Sequence, residues 1–562
     1  MIMMTMRLRT GLPFLLALGL SMVPALLSAQ GTVARDSTER DMKAGDALSA
    51  PVPTAKIGTT TPAGSFESVG SSAVGRGSFS NQAVHIGSPG FTSSAGGLGT
   101  YGGTLGATIG GAKDIGYARQ LINAGSIPKF LDFSPEGLYS EHDIPVPSGD
   151  CAEPLCLSLG YGYAPTVDDK SNALFVHLGL NSNVQAEGFR RSNLQLVVVV
   201  DRSGSMQGNM ASVQAALRKL AEKLTADDEI LMVEFDDQAE LLLPATRGDR
   251  RADILAAINR IRVVGGTNLF SGMVMGYTQL DNLPSRPGAM KRMLLFTDEQ
   301  PNVGITSEGS FLGTIEEYSK KNIGLSLFGV GSNFGQDVAY KVSQARGANM
   351  FFLESPEKIA TVFDKEFDYL VTPLVYDLHV KIATPAGMKL KAVYGLPTWT
   401  PGSHDAELNV PTVFLSSNHG AIILRYEKDG DGPLAFHPGD ELASGDLSFT
   451  DIGGRTHNEH ADLHHTGTAG MEPGTQFYTH DGMRMAVALT NIYFGLRDGC
   501  TLLTEGKRKE AIDVIGRAKG VAMIENTVLQ NEGLADEIKL LDKLEENINK
   551  GVATRSDGPA ND

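Results

Sequence analysis

The chain has 562 residues, with 65 acidic against 48 basic side chains and a formal net charge of −17. That length implies about three to four domains. The acidic balance, with no stretch dense in Lys and Arg, argues against nucleic acid as a partner and otherwise favours solubility.

The opening residues, MIMMTMRLRTGLPFLLALGLSMVPALLSAQG, place Arg7 and Arg9 before an apolar run from Leu12 to Leu27, and small residues follow up to Ala29. This is the pattern of a secretory signal peptide over 1–29, and hence of an exported product: periplasmic, on the cell surface or secreted. The run also approaches the ~17–25 residues that span a bilayer. An uncleaved N-terminal anchor is the alternative, and the one route to a membrane that the sequence offers. Residues 30–114 are rich in Gly, Ser, Thr and Pro. Such a composition buries too little apolar surface to offset chain entropy, and it reads as a flexible linker. The closely spaced glycines of GLGTYGGTLGATIGG follow no apolar strand and open no clear helix, which argues against dinucleotide binding.

From 115 to 193 the pattern changes. IGYARQLINAG reads as a short helix, and LCLSLGYGY and ALFVHLGLNS alternate as half-buried strands. Cys151 and Cys156 sit in GDCAEPLCL. An exported chain can oxidise such a pair to a local disulfide, and two cysteines are too few for the usual zinc site. Cys500 is then left as a buried, inert thiol.

Residues 194–372 alternate strands with helices. VVVV ends at Asp201, and Met210, Val213, Leu217, Leu220 and Leu224 then mark one helical face. EILMVEFD and AELLLPA are strands across a tight turn. Ile254, Ile258 and Ile261 mark a second helix. RMLLFTD, IGLSLFGVG and NMFFLE are further strands, with helices over FLGTIEEYSKK, QDVAYKVSQARG and a segment opening at Ser355-Pro356. This alternation predicts an α/β domain: a doubly wound, mostly parallel sheet with helices on both faces. Residues 373–483 return to short strands and predict an antiparallel β-sandwich. Residues 115–193 complete it, so that the α/β domain is inserted into or flanked by it. Residues 484–550 read as helical, with Leu534, Ile538, Leu541, Leu544 and Ile548 as a packed stripe. Residues 551–562 read as a disordered tail.

In open α/β sheets ligands sit beyond the carboxyl ends of the strands, where strand order reverses. Three segments converge there: Asp201-Arg202-Ser203-Gly204-Ser205, then GGTNLFSG with Thr267, then Asp298 at the end of MLLFTD. They offer two carboxylates and three hydroxyls. Hard cations take such oxygens, and the absence of His and Cys argues against zinc or copper. A bland reading stands beside this one: Ser203 and Ser205 cap the next helix, and Asp201 accepts backbone N–H groups. Finding all three segments in order favours the cation.

Asp-x-Ser-x-Ser, the later Gly-Gly-Thr and the strand-terminal Thr-Asp together resemble the metal-ion-dependent adhesion site of the von Willebrand factor type A (VWA) family, over about a third of the chain. ARQLINAGSIPKF, LFVHLGLNS and LKAVYGLP resemble, more weakly, the flanks of exported bacterial VWA proteins. The resemblance implies that Ser203, Ser205 and Thr267 ligate Mg²⁺ or Mn²⁺ directly. Asp201 and Asp298 would hold it largely through water, and a partner protein's Asp or Glu would fill the remaining position. One departure stands out: the family has Gly after the final Asp, and this chain has Glu299. That carboxylate either points away, strengthens cation binding, or takes the open position itself and makes the site structural.

The expected function is therefore cation-dependent protein binding or adhesion by an exported, non-enzymatic chain. The alternative is a structural or assembly component of the envelope whose metal only stabilises the fold. RTHNEHADLHH (455–465) offers four histidines, but as the second strand of a hairpin it splits His457 from His460 onto opposite faces, and it reads as a solvated strand. No nucleophile elbow, HExxH or P-loop occurs.

Overall fold

The computed structural model describes residues 104–551, apart from 114, 147–150, 168–171, 299–307, 332–344, 354–357, 360, 397–403, 431–433, 469 and 473–474. The leader, most of the glycine-rich stretch, Glu299, the helix over QDVAYKVSQARG, the Ser355-Pro356 helix start and the tail from 552 lie outside the described residues.

The valine run becomes β5 (Leu194–Asp201), with all eight residues buried. It can be buried on both faces because helices cover both faces of its sheet. The strands that join it are β2 (Gly111–Ala112), β6 (Glu229–Phe235), β7 (Ala239–Arg247), β8 (Met290–Thr297), β9 (Ile323–Val330) and β10 (Ala348–Leu353). They form a seven-stranded sheet in the order β2-β10-β9-β8-β5-β6-β7, parallel throughout except for β7 against β6. Val198 lies between Met232 on β6 and Leu294 on β8. Two helices, α1 (Gly116–Asn123) and α2 (Pro135–Ser140), come earlier in the chain, and among the described residues four more connect the strands of this sheet: α3 (Met210–Lys223), α4 (Arg251–Ile258), α5 (Leu269–Asn282) and α6 (Glu308–Lys320). The chain leaves β5 to one side for β6 and returns to the other side for β8. Strand order therefore reverses at β5, and this opens a crevice at its carboxyl end.

The antiparallel region takes the form of one ten-stranded sheet. Its central strand β4 (Asn172–Gln185) pairs along one edge with β3 (Leu155–Pro165). Along the other edge it pairs first with β14 (Ala421–Lys428) and then with β1 (Thr104–Ile109). From β1 the order continues through β13 (Ala406–Ser416), β11 (Pro373–Ala383), β15 (Glu441–Asp451) and β16 (Thr456–His464), with β12 (Met388–Tyr394) on the edge beyond β14. The sheet curls until β16 faces β3, where the Leu157 N–H donates to Glu459 Oε2 at 3.2 Å. Its inner face forms one core, which includes Val176, Leu178, Val380 and Leu424. Its outer face carries three helices, α7 (Asp481–Thr504), α8 (Arg508–Leu529) and α9 (Glu532–Asn549), packed on Phe175 and Ile423. Leu534, Leu541, Leu544 and Ile548 are fully buried in that second core. His457 stacks on Phe449, whereas His460 is exposed, as alternation along a hairpin requires.

The linker reading fails at its end. Residues 104–109 and 111–112 are strand, not linker: β1 lies between β4 and β13 in the curled sheet, and β2 joins β10 in the parallel sheet. Small residues occupy this stretch because there is no room for larger ones. A Cβ at Gly106 would collide with the backbone of Asn418, and Ala107 is fully buried. Glycine density here signals close backbone approach. Cys151 and Cys156 are joined by a disulfide, and Cys500 is a free, buried thiol.

Two outcomes are expected. Ala107→Asp would bury an unpaired carboxylate and should lower the urea midpoint by an amount equivalent to several kcal/mol; an unchanged midpoint would restore the linker reading for this segment. Intact-mass analysis after alkylation without reductant should show one free thiol, and reduction should lower stability by about 2 kcal/mol for so short a loop. Three alkylated thiols in the unreduced protein would contradict the bond.

Candidate metal centre

The Asp201 side chain is fully buried at the end of β5. One carboxylate oxygen, Oδ1, accepts the backbone N–H of Ser203 at 2.9 Å; Oδ2 accepts the hydroxyl of Thr297 at 2.7 Å. Burial pushes this carboxyl up to about 6, against those two hydrogen bonds, and the nearby Asp298 adds to the rise. The chain then turns through Gly204–Gly208 in a short 3-10 helix before α3 begins. Within that turn the hydroxyls of Ser203 and Ser205 lie 2.9 Å apart, and Ser205 donates to Asp298 Oδ1 at 2.8 Å. Asn209 closes the chain of contacts, donating from Nδ2 to Asp298 Oδ2 at 3.0 Å.

The glycine loop is laid against this turn by its backbone. Val264 N–H donates to the Arg202 carbonyl at 2.7 Å, and Gly204 N–H donates to the Gly265 carbonyl at 3.1 Å. Gly265 has φ of +74°, and a Cβ there would press on Asp236, so no other residue lets the loop pass this close. Thr267 follows, buried, and Asn268 caps α5 by accepting the Ser271 N–H at 3.1 Å. The structure therefore brings Asp201, Ser203, Ser205, Thr267 and Asp298 to one end of the sheet. Glu299 lies outside the described residues.

Arg202 sits between the two acceptor positions in sequence but turns away. Its guanidinium bonds Glu234 at 2.8 Å and Asp236 at 2.7 Å, with Glu240 at 3.6 Å. Its charge is spent on β6 and β7, so it does not serve as counter-ion to Asp201. Two residues escaped the sequence reading. Thr297 was visible only as the residue before a terminal Asp; Asn209 was visible only as a polar residue opening a helix. Gly331, at φ +78° beyond β9, leaves the space that Asn209 occupies.

The donor set fits a hard divalent cation. Ligands at ~2.0–2.1 Å in an octahedron stand about 3 Å from their neighbours. The Ser203–Ser205 and Ser205–Asp298 separations already have that spacing. The set contains no nitrogen or sulfur ligand. Among the described residues no group of three or more His, Cys, Asp or Glu is placed to hold a metal, so a cation here depends on hydroxyls as well as carboxylates.

Residues 195–365 match the model of the von Willebrand factor type A domain. This part of the chain is a VWA domain. VWA domains often bind metal ions and proteins, and the proteins that carry them are generally non-enzymatic. The chain is 24% identical over 275 residues to the uncharacterised protein YfbK of Escherichia coli, a match covering 47% of each. It is 32% identical over 181 residues to human inter-alpha-trypsin inhibitor heavy chain H4, covering 30% of this chain and 18% of that one. The chain thus spans about half the length, or less, of these curated relatives. Among solved structures, a von Willebrand factor type A protein from Catenulispora acidiphila aligns over 73% of this chain and 99% of its own, at 14% identity and a TM-score of 0.46.

Thr297→Val should cost roughly 1–3 kcal/mol in metal-free protein, because it strands one oxygen of a buried carboxylate. Urea denaturation in chelator measures this; a loss under about 0.5 kcal/mol, the size of an ordinary surface change, would show that Asp201 does not depend on Thr297.

Proposed function

We propose that this chain is an exported protein-binding module gated by one Mg²⁺ or Mn²⁺ at the VWA site, and that a partner protein's Asp or Glu carboxylate completes the coordination. One observation supports it above the others. Ser203, Ser205 and Asp298 stand in a chain of 2.8–2.9 Å contacts beside the buried Asp201, and the adjacent Arg202 is turned away to Glu234 and Asp236. Ser203, Ser205, Thr267, Asp201 and Asp298 would hold the ion. With Ser203, Ser205 and Thr267 as direct ligands the inner shell would be neutral, and the two carboxylates would act largely through water, so the ion would retain attraction for an incoming carboxylate.

A single ion-to-carboxylate contact does not make a tight complex. Micromolar affinity needs about 8 kcal/mol, and a carboxylate loses solvation as it docks. The rim must add contact area. Val264, 47% exposed beside the glycine loop, is an apolar element available for it. Export rests on the leader pattern of residues 1–29, and a location in the periplasm, on the surface or in the medium is part of the same proposal. A purely structural metal is the competing outcome.

The deciding experiment is titration calorimetry with Mg²⁺ and Mn²⁺, combined with affinity capture from the source envelope in cation and in chelator. Saturable binding of one ion is expected, with cation-dependent capture of a defined partner. Asp201→Ala should abolish both while the sheet stays folded, and Thr267→Ala should weaken both at least tenfold. Cation binding without any cation-dependent partner would favour the structural reading. Absence of saturable binding would end both.

A further inference from the structure

Away from the metal centre, one buried titratable group has no hydrogen-bond partner at either nitrogen. His177 lies on the outer face of β4 and is fully buried, and neither ring nitrogen is bonded. Its ring lies 5.6 Å, centroid to centroid, from that of His480, the residue that caps the 24-residue helix α7. The cap works through His480 Nδ1, which accepts the Met483 N–H at 3.1 Å. That nitrogen must therefore carry no proton.

The surroundings are built tightly on these two rings. Gly160 pairs across the sheet with His177, and the ring of His480 fills the space where a side chain at 160 would be. The segment Asp143–Val146 lies over them. Val146 rests on Gly179, two residues beyond His177 on the same face, and the Pro145 carbonyl rests on Gly482 in the first turn of α7; a Cβ at either glycine would collide with it. The segment is fastened by the Ile144 N–H to the His419 carbonyl at 3.3 Å. It is fastened also by Asp143, which accepts from the His419 N–H at 3.0 Å and pairs with its ring at 2.8 Å.

We propose that His177 and His480 form an acid-sensitive latch, and that protonation releases the segment Asp143–Val146 and the first turn of α7 from the antiparallel sheet. The reason is geometric. His177 is fully buried, and among the described residues no acceptor reaches either ring nitrogen, so a second proton would be left unpaired while the segment is closed. A second proton on His480 falls on the nitrogen that caps the helix. Either charge would also sit at the positive end of the α7 dipole.

The charged and titratable neighbours do not compensate. Burial pushes His177 down to about 3, and His480 and His419 add to the drop. Burial also lowers His480, while Asp481 and the Pro145 carbonyl pull it up. Asp143 is committed to His419, and this pair is partly exposed, so solvent screens it. His142 on the same segment turns away to Glu537 at 2.9 Å. Facing residues of β3 and β14, Gly160 and Ile423, carry no charge. The sign follows from linkage. The closed state prefers neutral His177, so its stability is complete above the open-state value of ~6.5 and is lost as pH falls below it. Between pH 7 and pH 5 the titration of His177 by itself should raise the opening equilibrium about twenty-five-fold, and His480 adds to this.

Amide hydrogen exchange of the full chain, corrected for intrinsic rates, tests this at pH 7 and pH 5. Protection over 143–146 and 481–490 should fall about twenty-five-fold or more relative to β5, which serves as control. His480→Asn keeps a good cap that does not titrate, and His177→Phe fills the same space without a charge. The double variant should lose the pH dependence and keep protection at both pH values. Loss of protection in the double variant equal to wild type, or none in wild type, overturns the latch. If His177→Phe does not fold, exchange at the imidazole C2 position of wild type reads His177 directly, and a midpoint at the ordinary histidine value overturns it as well.

Discussion

The carboxylate of Asp201 is buried at the end of a strand that is itself buried on both faces, and the crevice around it is organised by that charge. An isolated ionised carboxylate in such a place is strongly unfavourable. Thr297 and the Ser203 N–H hydrogen-bond to it, but they do not restore its acidity, and Asp298 works against it. The adjacent Arg202 is drawn off to Glu234, Asp236 and Glu240 on β6, the turn after it and β7. Beside Asp201 the oxygens of Ser203, Ser205 and Asp298 stand at the spacing that neighbouring ligands of one small cation would have. The strand order, the tight turn after β5 and the glycine loop before α5 all serve to bring those oxygens to one point.

A second constraint holds the two sheets to each other. β1 and β2 are separated by a single residue, Gly110, yet each belongs to a different sheet. The joint is closed by polar groups. Gly110 N–H donates to the Thr412 carbonyl at 2.7 Å, and Thr412 Oγ1 accepts the Gly347 N–H at 2.7 Å. Arg292 and Lys113 both lie over the ring of Phe414, at 5.0 and 5.5 Å. Arg292 reaches on to Ser326 and Asn349 in the parallel sheet. Burial lowers Lys113 to about 7, with Glu366 opposing the drop and Arg292 adding to it, and burial lowers Arg292 to about 10 against the upward pull of Tyr376 and Tyr277. These polar contacts join the two sheets at the point where the chain passes from one to the other.

The helical layer is attached by other means. α7 brings a long apolar face to the outer side of β4 and β14, and α8 and α9 cover what remains of it. Its N-terminus, however, meets the sheet through imidazoles and glycines where a hydrophobic contact would be expected. Stability across this protein is therefore uneven: the parallel core rests on β-branched burial, worth about 1.5–3 kcal/mol per large aliphatic side chain, while the start of α7 rests on groups whose charge depends on pH.

Much of the fold was legible from the sequence because hydrophobic period is a local property. The valine run, the three- and four-residue spacing of Met210 to Leu224, and the alternation in ALFVHLGLNS each report the environment of one element. The Asp201, Ser203, Ser205, Thr267 and Asp298 set was legible for the same reason: strand ends and glycine turns can be read one at a time. Tertiary structure alone decided the rest. The glycines of TLGATIGGA looked like a linker, because the Asn418 backbone that crowds Gly106 and the strand β13 beside it lie about three hundred residues away in sequence. Asn209 and Thr297 became partners of the two carboxylates only when α3 and β8 met at one end of the sheet. His177 alternates as an ordinary strand residue, and nothing near it in sequence announces that a helix cap more than three hundred residues later will bury it without a hydrogen bond. A sequence displays the period and chemistry of each segment, but close approach between distant segments, and the desolvation that comes with it, exists only once the chain has folded.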